Sequence, residues 1–208
     1  MGLFKWFFRS FVKRQSYKVK RQSSTPPYWK KTERLTDIFD QLNKVIAREE
    51  LDVLRFLGEL PVGKVVNVLD GDTVLLSHQN AVIKVRLDSI DCPEDDQPWG
   101  STACAGLIRL IGGKSVRMEV HGLDYYGRTL ATLYVQNAVT AEWTNVNERM
   151  LILGHAWAMH MSMEHLPKSR QEKLKRLQNW ARSRKVGLWK SETPVAPWMW
   201  RGARNDRL

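Results

Sequence analysis

From Pro61 onward, the chain alternates between short runs of β-branched or apolar residues and clusters of turn-forming residues. The first run, 65–68, leads into Asp70-Gly71-Asp72, and Asp-Gly between two such runs is a strong hairpin signal. Further strands are predicted at 73–76, 82–87, 116–120 and 129–135, and helices at 102–111, 145–153 and 165–185. Short strands joined by tight turns, together with a few helices, predict an α+β domain built around a small β-barrel.

The formal net charge of +11 indicates a polyanionic partner, which is either nucleic acid or an anionic membrane surface. The charge is uneven, because residues 1–31 contain nine basic residues and no acidic one. This segment is predicted to be a basic tail, and two interpretations of it stay open. It is either a disordered, solvated arm or a segment that contacts a membrane surface through residues 1–21, where aromatic and basic side chains are mixed.

The tail contains no apolar run long enough to cross a bilayer and no clear signal peptide with its cleavage site. A cytoplasmic or membrane-associated protein is therefore favoured over a secreted one. Such a location favours free thiols at Cys92 and Cys104. Two cysteines also exclude a disulfide framework and a four-cysteine zinc site.

Residues 32–60 are predicted to form a helical extension, because apolar residues recur there every three or four positions. These residues are Leu35, Ile38, Phe39, Leu42, Val45 and Ile46. The simpler interpretation is that this face packs on the following domain, and the alternative is a partner-binding or dimerising helix. The compact domain is predicted to span 61–201, with a C-terminal tail at 202–208 and no obligate protein partner.

Three separated segments place charged residues beside predicted turns. They are Asp70 to Asp72, Arg86 to Glu94, and Asp124 to Arg128. Carboxylates suit a hard cation such as calcium, and the guanidinium fork of arginine suits a phosphate group. Each segment alone has an ordinary structural interpretation as a turn, a helix cap or a hairpin tip. Together they predict a phosphoryl-transfer site with a metal, a water-activating carboxylate and cationic groups.

The order of these segments resembles the staphylococcal nuclease (thermonuclease) family. The matching runs are VLDGDTV from Val68, VRLDSIDCPE from Val85, DYYGRTLA from Asp124, VNE from Val146, GHAWA from Gly154, RKVGLW from Arg184 and PVAPWMWR from Pro194. The resemblance covers about 62–201 and leaves out the first 60 residues. It implies a five-stranded oligonucleotide-binding-type barrel with three helices. It also implies a calcium-dependent phosphodiesterase that cuts DNA and RNA with little sequence preference.

The resemblance also implies a role for particular acidic residues. Asp72 and Asp91 match the family's metal ligands, and Cys92 matches a residue that contributes its backbone carbonyl. Asp70 matches an acidic position just outside the coordination sphere of the metal. One calcium ion is therefore expected in this site.

The catalytic and substrate-binding positions follow in the same way. Glu94 matches the family's catalytic glutamate, and Arg86 and Arg128 match its two phosphate-binding arginines. Tyr126 matches a tyrosine near the nucleotide phosphate. His160 stands where the type member has a tyrosine pair, and it is expected to stack on a base or to hydrogen-bond it. This departure concerns base contacts and leaves the expected metal chemistry unchanged.

Two function classes fit this resemblance, a nuclease and a nucleic-acid-binding module of the same fold that has lost catalysis. The nuclease is favoured, because the family's residues are present at all five charged metal-binding, catalytic and phosphate-binding positions. These positions are Asp72, Arg86, Asp91, Glu94 and Arg128. The segment 168–185 contains eight basic residues and one acidic residue, and it is either a solvated helix face or a track for a nucleic-acid backbone.

The remaining histidines are predicted to be structural or solvated, and most tryptophans, notably Trp157, Trp180 and Trp189, to pack in the core or between helices. These histidines are His78, His121, His155 and His165.

Overall fold

The computed structural model describes residues 29–205, which divide into two units between Glu59 and Leu60. In the first unit, helix α1 (Trp29–Glu59) begins inside the segment that was predicted to be a tail. The rest of that tail, including the expected membrane contact through residues 1–21, lies outside the described residues. The same holds for residues 206–208. Within 29–205, no helix combines the length and the apolar character needed to cross a membrane.

The apolar face that was predicted on α1 is described only at Val45, whose side chain is 54% exposed. The other side chains of that face, at positions 35, 38, 39, 42 and 46, lie outside the described part of the structure. Its packing therefore stays a prediction.

The second unit is built on a closed β-barrel. The described strands are β1 (Val62–Val68), β2 (Thr73–His78), β3 (Ala81–Leu87), β4 (Ile90–Asp91), β5 (Ser115–Leu123), β6 (Thr129–Gln136), β7 (Trp143–Asn145) and β8 (Trp157–Ala158). Five of them follow the order β3-β2-β1-β5-β6, and a parallel pairing of β3 with β6 closes the ring. The other pairings in the ring are antiparallel, as the tight turns predict. The α+β fold and the five-stranded barrel are thus confirmed.

The described part of the second unit, up to residue 205, also contains four helices. They are α2 (Gly100–Ile111), α3 (Val146–Ile152), α4 (Lys168–Ser183) and α5 (Pro197–Asn205), and short 3₁₀ turns span His160–Ser162 and Gly187–Lys190. The side chain of Asn145 caps α3 by accepting a hydrogen bond from the backbone N–H of Glu148 at 3.0 Å. Helix α5 was not predicted, and it runs through Asn205 into the segment expected to be a tail.

The core lies inside the barrel and beneath α2. On that helix Ala103, Leu107 and Ile111 recur every four residues and are fully buried. On β2, Val74 and Leu76 are also fully buried, with the more exposed Leu75 between them. The buried apolar residues of this helix and of this strand therefore belong to one shared core.

The tryptophans divide between interior and surface. Trp189 is buried, and its ring centroid lies 4.4 Å from that of Trp157, as expected for packing residues. Trp180 is 42% exposed instead, with the guanidinium of Arg184 5.1 Å from its ring centroid. The expectation that Trp180 packs in the interior was wrong, because its position on α4 faces solvent.

Asn147, on α3, supports the closure of the barrel. It is 2% exposed, and its side-chain oxygen accepts a hydrogen bond from the backbone N–H of Leu133 at 3.1 Å. Its amide nitrogen donates to the backbone carbonyls of Asp88 at 2.9 Å and of Ala131 at 3.2 Å. One side chain therefore bridges the end of β3 and the middle of β6, where those strands pair in parallel.

Arg170 fixes α4 to the barrel. Its guanidinium donates to the two carboxylate oxygens of Glu119 at 2.6 and 2.7 Å, and to the hydroxyl of Thr132 at 2.8 Å. Tyr134 adds a hydrogen bond to the same carboxylate at 2.8 Å. Burial alone would raise the pKa of Glu119, but the hydrogen bonds from Arg170 and Tyr134 outweigh it and lower that pKa.

We expect Arg170→Ala to lower the free energy of unfolding by about 2–3 kcal/mol at pH 7, since hydrogen bonds to a charged, half-buried group are lost. The pKa of Glu119 is lower in the folded chain than in the unfolded one. Its stabilisation is therefore present above the unfolded value of about 4.3 and is lost as pH falls through the folded value. Urea unfolding at pH 7 and at pH 3 should show a smaller effect in acid. An equal loss at both pH values, or an equal loss for the exposed Arg176→Ala on the same helix, would contradict this.

Candidate functional site

A cavity of about 710 Å³ opens where the β1–β2 turn, the segment after β3 and the β5–β6 turn meet. Eight of the predicted site residues line it, namely Asp70, Asp72, Arg86, Asp91, Cys92, Glu94, Tyr126 and Arg128. The three charged segments of the sequence therefore come together in one place. His160 does not line this cavity and its side chain is exposed, although Met159 and Ser162 beside it do line the cavity. The role expected for His160 stays a prediction.

The turn between β1 and β2 presents two carboxylates. The backbone N–H of Asp72 donates to the side chain of Asp70 at 2.9 Å, which fixes the turn. A Cβ atom on Gly71 would lie 2.7 Å from the Cβ of Cys92, so glycine is required here for close packing. This close approach lets the backbone N–H of Cys92 donate to Asp72 at 2.9 Å. The two acidic segments are thereby joined.

Arg86, at the end of β3, connects the acidic groups. Its guanidinium lies 2.6 Å from Asp91 and 3.4 Å from Asp72, and it donates to the backbone carbonyl of Ile90 at 2.9 Å. Burial would lower the pKa of Arg86, but the charges of Asp72 and Asp91 outweigh it and raise that pKa. The guanidinium therefore remains charged inside the cavity wall.

The carboxyl groups of Asp70 and Asp91 have raised pKa values, so their ionised forms are disfavoured in this cavity. Burial, and then the charge of Asp72, raises the pKa of Asp70 to about 6. Burial also raises the pKa of Asp91, although two arginines donate to its carboxylate. Burial is the largest cause of both raised pKa values and the charge of Asp72 adds to it, so a cation bound nearby would favour the ionised forms.

Arg128 is positioned by Asp124 on the β5–β6 turn. One carboxylate oxygen of Asp124 accepts from the backbone N–H groups of Tyr126 and Arg128 at 2.9 and 2.8 Å. The other accepts from the Nε of Arg128 at 2.6 Å. Burial alone would raise the pKa of Asp124, but these hydrogen bonds lower it. The guanidinium lies 5.5 Å from the ring centroid of the exposed Tyr126.

Asp124 thus has a positioning role that the sequence did not assign to it. The sequence could have indicated this role, because the side chain of an aspartate in a turn often accepts a hydrogen bond from the backbone N–H two residues further on.

Arg201 is the second site residue that sequence reasoning missed. Its guanidinium donates to Asp91 at 2.8 Å and to Glu94 at 2.5 Å. Burial would lower the pKa of Arg201, but the bonds to Asp91 and Glu94 raise it. It belongs to α5, which docks on the loop after Glu94 through bonds from Trp200 and Arg204 to Asp96. The run that ends at Arg201 is part of the resemblance, but nothing in it indicates which residues the side chain contacts.

Cys92 is a buried thiol rather than a nucleophile. Its sulfur donates to the backbone carbonyl of Gly71 at 3.1 Å. Burial, and then the charge of Asp72, raises the pKa of this thiol well above its usual value, so the thiolate is suppressed. Cys104 is also a free thiol, as expected.

The closed barrel and the charged cavity at the ends of its strands define a small barrel protein with an acidic and arginine-rich site. Comparison with known families agrees, because the model described as "Staphylococcal nuclease homologue" matches residues 84–191. The chain belongs to this family, which confirms the resemblance seen in its motifs.

Several curated relatives are similar over most of their length. An uncharacterized endonuclease of Escherichia coli is 34% identical over 160 residues, which cover 74% of this chain and 97% of the relative. A micrococcal nuclease of Shigella flexneri is 34% identical over 147 residues, 69% of this chain and 82% of the relative. An uncharacterized endonuclease of Haemophilus influenzae is 37% identical over 139 residues, 66% of this chain and 71% of the relative.

Proposed function

We propose that this protein is a calcium-dependent endonuclease that hydrolyses DNA or RNA with low sequence specificity. The observation that carries the proposal is the cavity, in which two arginines and five carboxylates from three distant segments converge. Relatives named as endonucleases and as a micrococcal nuclease support it. The substrate is then a polyanion, which agrees with the net charge of +11.

The residues of the cavity fit a calcium ion. Asp72 and Asp91 offer carboxylate oxygens, and the backbone carbonyl of Cys92 offers a third oxygen, which is the donor type that calcium takes. Asp70 lies beside them, and because burial and then the charge of Asp72 raise its pKa, a cation bound nearby would favour its ionised form. When bound, calcium would supply Lewis-acid polarisation of a phosphate oxygen.

The side chains around this position suit hydrolysis of a phosphodiester. Glu94 orients a water molecule and accepts its proton as the water oxygen bonds to phosphorus. Arg86 and Arg128 donate to the non-bridging oxygens, on which negative charge accumulates. The bond from phosphorus to the 5′ oxygen breaks, and that oxygen leaves with a proton. The products are a 3′-phosphate and a 5′-hydroxyl.

Cleavage assays on single- and double-stranded DNA and RNA, with calcium and with a chelator, test this proposal. We expect calcium-dependent cleavage, and a loss of roughly 10²–10³-fold in rate for Arg128→Ala, because one preorganised cation is removed. The exposed Arg109→Ala on α2 is a matched control that should retain activity. Binding of nucleic acid without any cleavage would support the alternative, a catalytically inactive binding module.

Arg201 shares the oxygens of Asp91 that the proposed calcium site uses. We expect Arg201→Ala to bind calcium roughly threefold to tenfold more tightly, because a half-exposed cation that competes for the same carboxylate is removed. The rate at saturating calcium should fall, since Glu94 loses a partner that orients it. Calorimetric calcium titration and single-turnover cleavage measure the two effects separately. Weaker calcium binding by the variant would contradict the proposal that Arg201 and calcium compete for the carboxylate of Asp91.

A further inference from the structure

Outside the cavity, three side chains from distant segments converge. Asp88 lies between β3 and β4, His121 lies on β5, and His165 lies in the loop before α4. One ligand atom from each lies within 4.8 Å of the others. We propose that these three residues bind a transition-metal ion of the Zn²⁺ type, at a site separate from the proposed calcium site.

Asp88 provides the first argument, because its carboxylate is buried and only partly satisfied. The residue is 1% exposed. Its Oδ2 accepts a hydrogen bond from the hydroxyl of Ser89 at 2.7 Å. Its Oδ1 is buried and has no hydrogen-bond partner among the residues described here. A buried carboxylate oxygen without a partner is costly, and a bound cation would satisfy it.

The distances around Asp88 also suit a metal. The Nε2 atom of His165 lies 3.0 Å from the Oδ2 of Asp88. In a tetrahedral zinc site with bonds of about 2.0–2.2 Å, neighbouring ligand atoms are roughly 3.3 Å apart. The ring centroids of His121 and His165 are 5.0 Å apart, so the two imidazoles already lie side by side. Because all three ligand atoms lie within 4.8 Å of one another, side-chain rotation would bring them to the spacing that a bound ion requires.

The surroundings hold these side chains in place. The hydroxyl of Thr132 lies 3.0 Å from the Nε2 of His121 and so orients its ring. Arg170 also bonds this hydroxyl, but its charge is paired with Glu119 at 2.6 Å. The imidazoles therefore do not face an uncompensated cation. Solvent reaches the cluster through His165, whose side chain is 37% exposed.

The donor types decide which metal fits. Two imidazole nitrogens and one carboxylate oxygen favour zinc and similar ions, whereas calcium takes oxygen ligands. Three protein ligands leave a fourth position for water. Because Asp88 directly precedes Ser89 and the strand β4 that carries Asp91, the ion would tie β5 and the loop before α4 to the segment that forms the cavity.

Titration of the untagged full chain with Co²⁺, in excess calcium to occupy the oxygen-donor cavity, tests the proposal. We expect one equivalent to bind with the visible absorption of a four-coordinate site that has imidazole ligands, and Zn²⁺ to displace it. His121→Ala and His165→Ala should each lower the affinity by more than the roughly 10–100-fold that loss of an outer hydrogen-bonding partner costs. His78→Ala is the matched control and should bind as the original chain does.

The absence of stoichiometric Co²⁺ or Zn²⁺ binding by the folded chain would overturn the proposal. Binding that persists unchanged in both His121→Ala and His165→Ala would also overturn it. Asp88→Asn is a further variant, but the two histidine variants decide the question if its buried position prevents folding. None of these measurements involves cleavage, so their outcome is independent of the proposed nuclease activity.

Discussion

Glu94→Gln is expected to lower the rate of phosphodiester hydrolysis by roughly 10²–10⁴-fold while the barrel remains folded. The glutamine side chain still accepts a hydrogen bond from Arg201, so the loop keeps its position and only the proton-accepting group is lost. Glu94 is partly exposed, with a side chain 37% accessible, and its replacement leaves no buried charge unpaired. Single-turnover cleavage with saturating calcium measures the effect on the chemical step.

The matched control for this variant is Glu142→Gln, because Glu142 is, like Glu94, a partly exposed glutamate, and it lies outside the cavity in the loop between β6 and β7. It should cleave at the original rate. Calcium binding should be retained in Glu94→Gln, since the proposed metal ligands are unchanged. Cleavage by Glu94→Gln at a near-original rate would show that another group activates the water, and the mechanism proposed for this cavity would be wrong.

Asn147→Ala is expected to lower the free energy of unfolding by roughly 3–5 kcal/mol. Two backbone groups, the N–H of Leu133 and the carbonyl of Asp88, lose this partner, and each unsatisfied buried group costs about 1–3 kcal/mol. The carbonyl of Ala131 loses one of its two hydrogen bonds and keeps the one from the N–H of Asp88. The loss falls on the parallel pairing of β3 with β6, which carries Arg86 at its end. Urea unfolding at pH 7 measures the effect.

The exposed Asn67→Ala, on β1, is the control for Asn147→Ala and should change the free energy of unfolding by less than about 0.5 kcal/mol. Amide hydrogen exchange should also speed up locally in Asn147→Ala, because the N–H of Leu133 loses its acceptor. An effect on stability no larger than that of Asn67→Ala would mean that water replaces the lost amide.

The parts of the fold that follow from local rules could be predicted from the sequence. The five barrel strands and helices α2 to α4 come from hydrophobic period, turn residues and caps, all of which act within a few positions. The strands β4, β7 and β8 were not predicted, because each has only two or three residues. Strands β4 and β8 pair with each other from distant parts of the chain, and β7 pairs with the preceding strand β6. Helix α4 was predicted from 165 but begins at Lys168, directly after Pro167, because the residue before a proline is disfavoured in a helix.

The candidate site shows the same division between local and remote information. Asp72, Arg86 and Asp91 were located by motif order, and the structure brings them together. The contact of Arg201 with Asp91 spans 110 positions, so no local pattern reveals it. Asp70-Gly71 predicted the hairpin correctly. The sequence did not show the second reason for a glycine at this position, which is that its neighbours leave no room for a Cβ atom.

The parallel pairing of β3 with β6 also indicates where a label or a domain can be attached without disturbing the cavity. Arg86 lies one residue before the end of β3, and Arg128 immediately precedes β6, so the parallel register of these strands sets the separation of the two arginines. Strand β6 then runs eight residues, about 26 Å, away from the cavity before it reaches the loop 137–142, of which residues 137–141 are exposed. That loop is therefore a natural attachment point for a fluorescent label or a fused domain that reports on the protein while the two arginines keep their spacing.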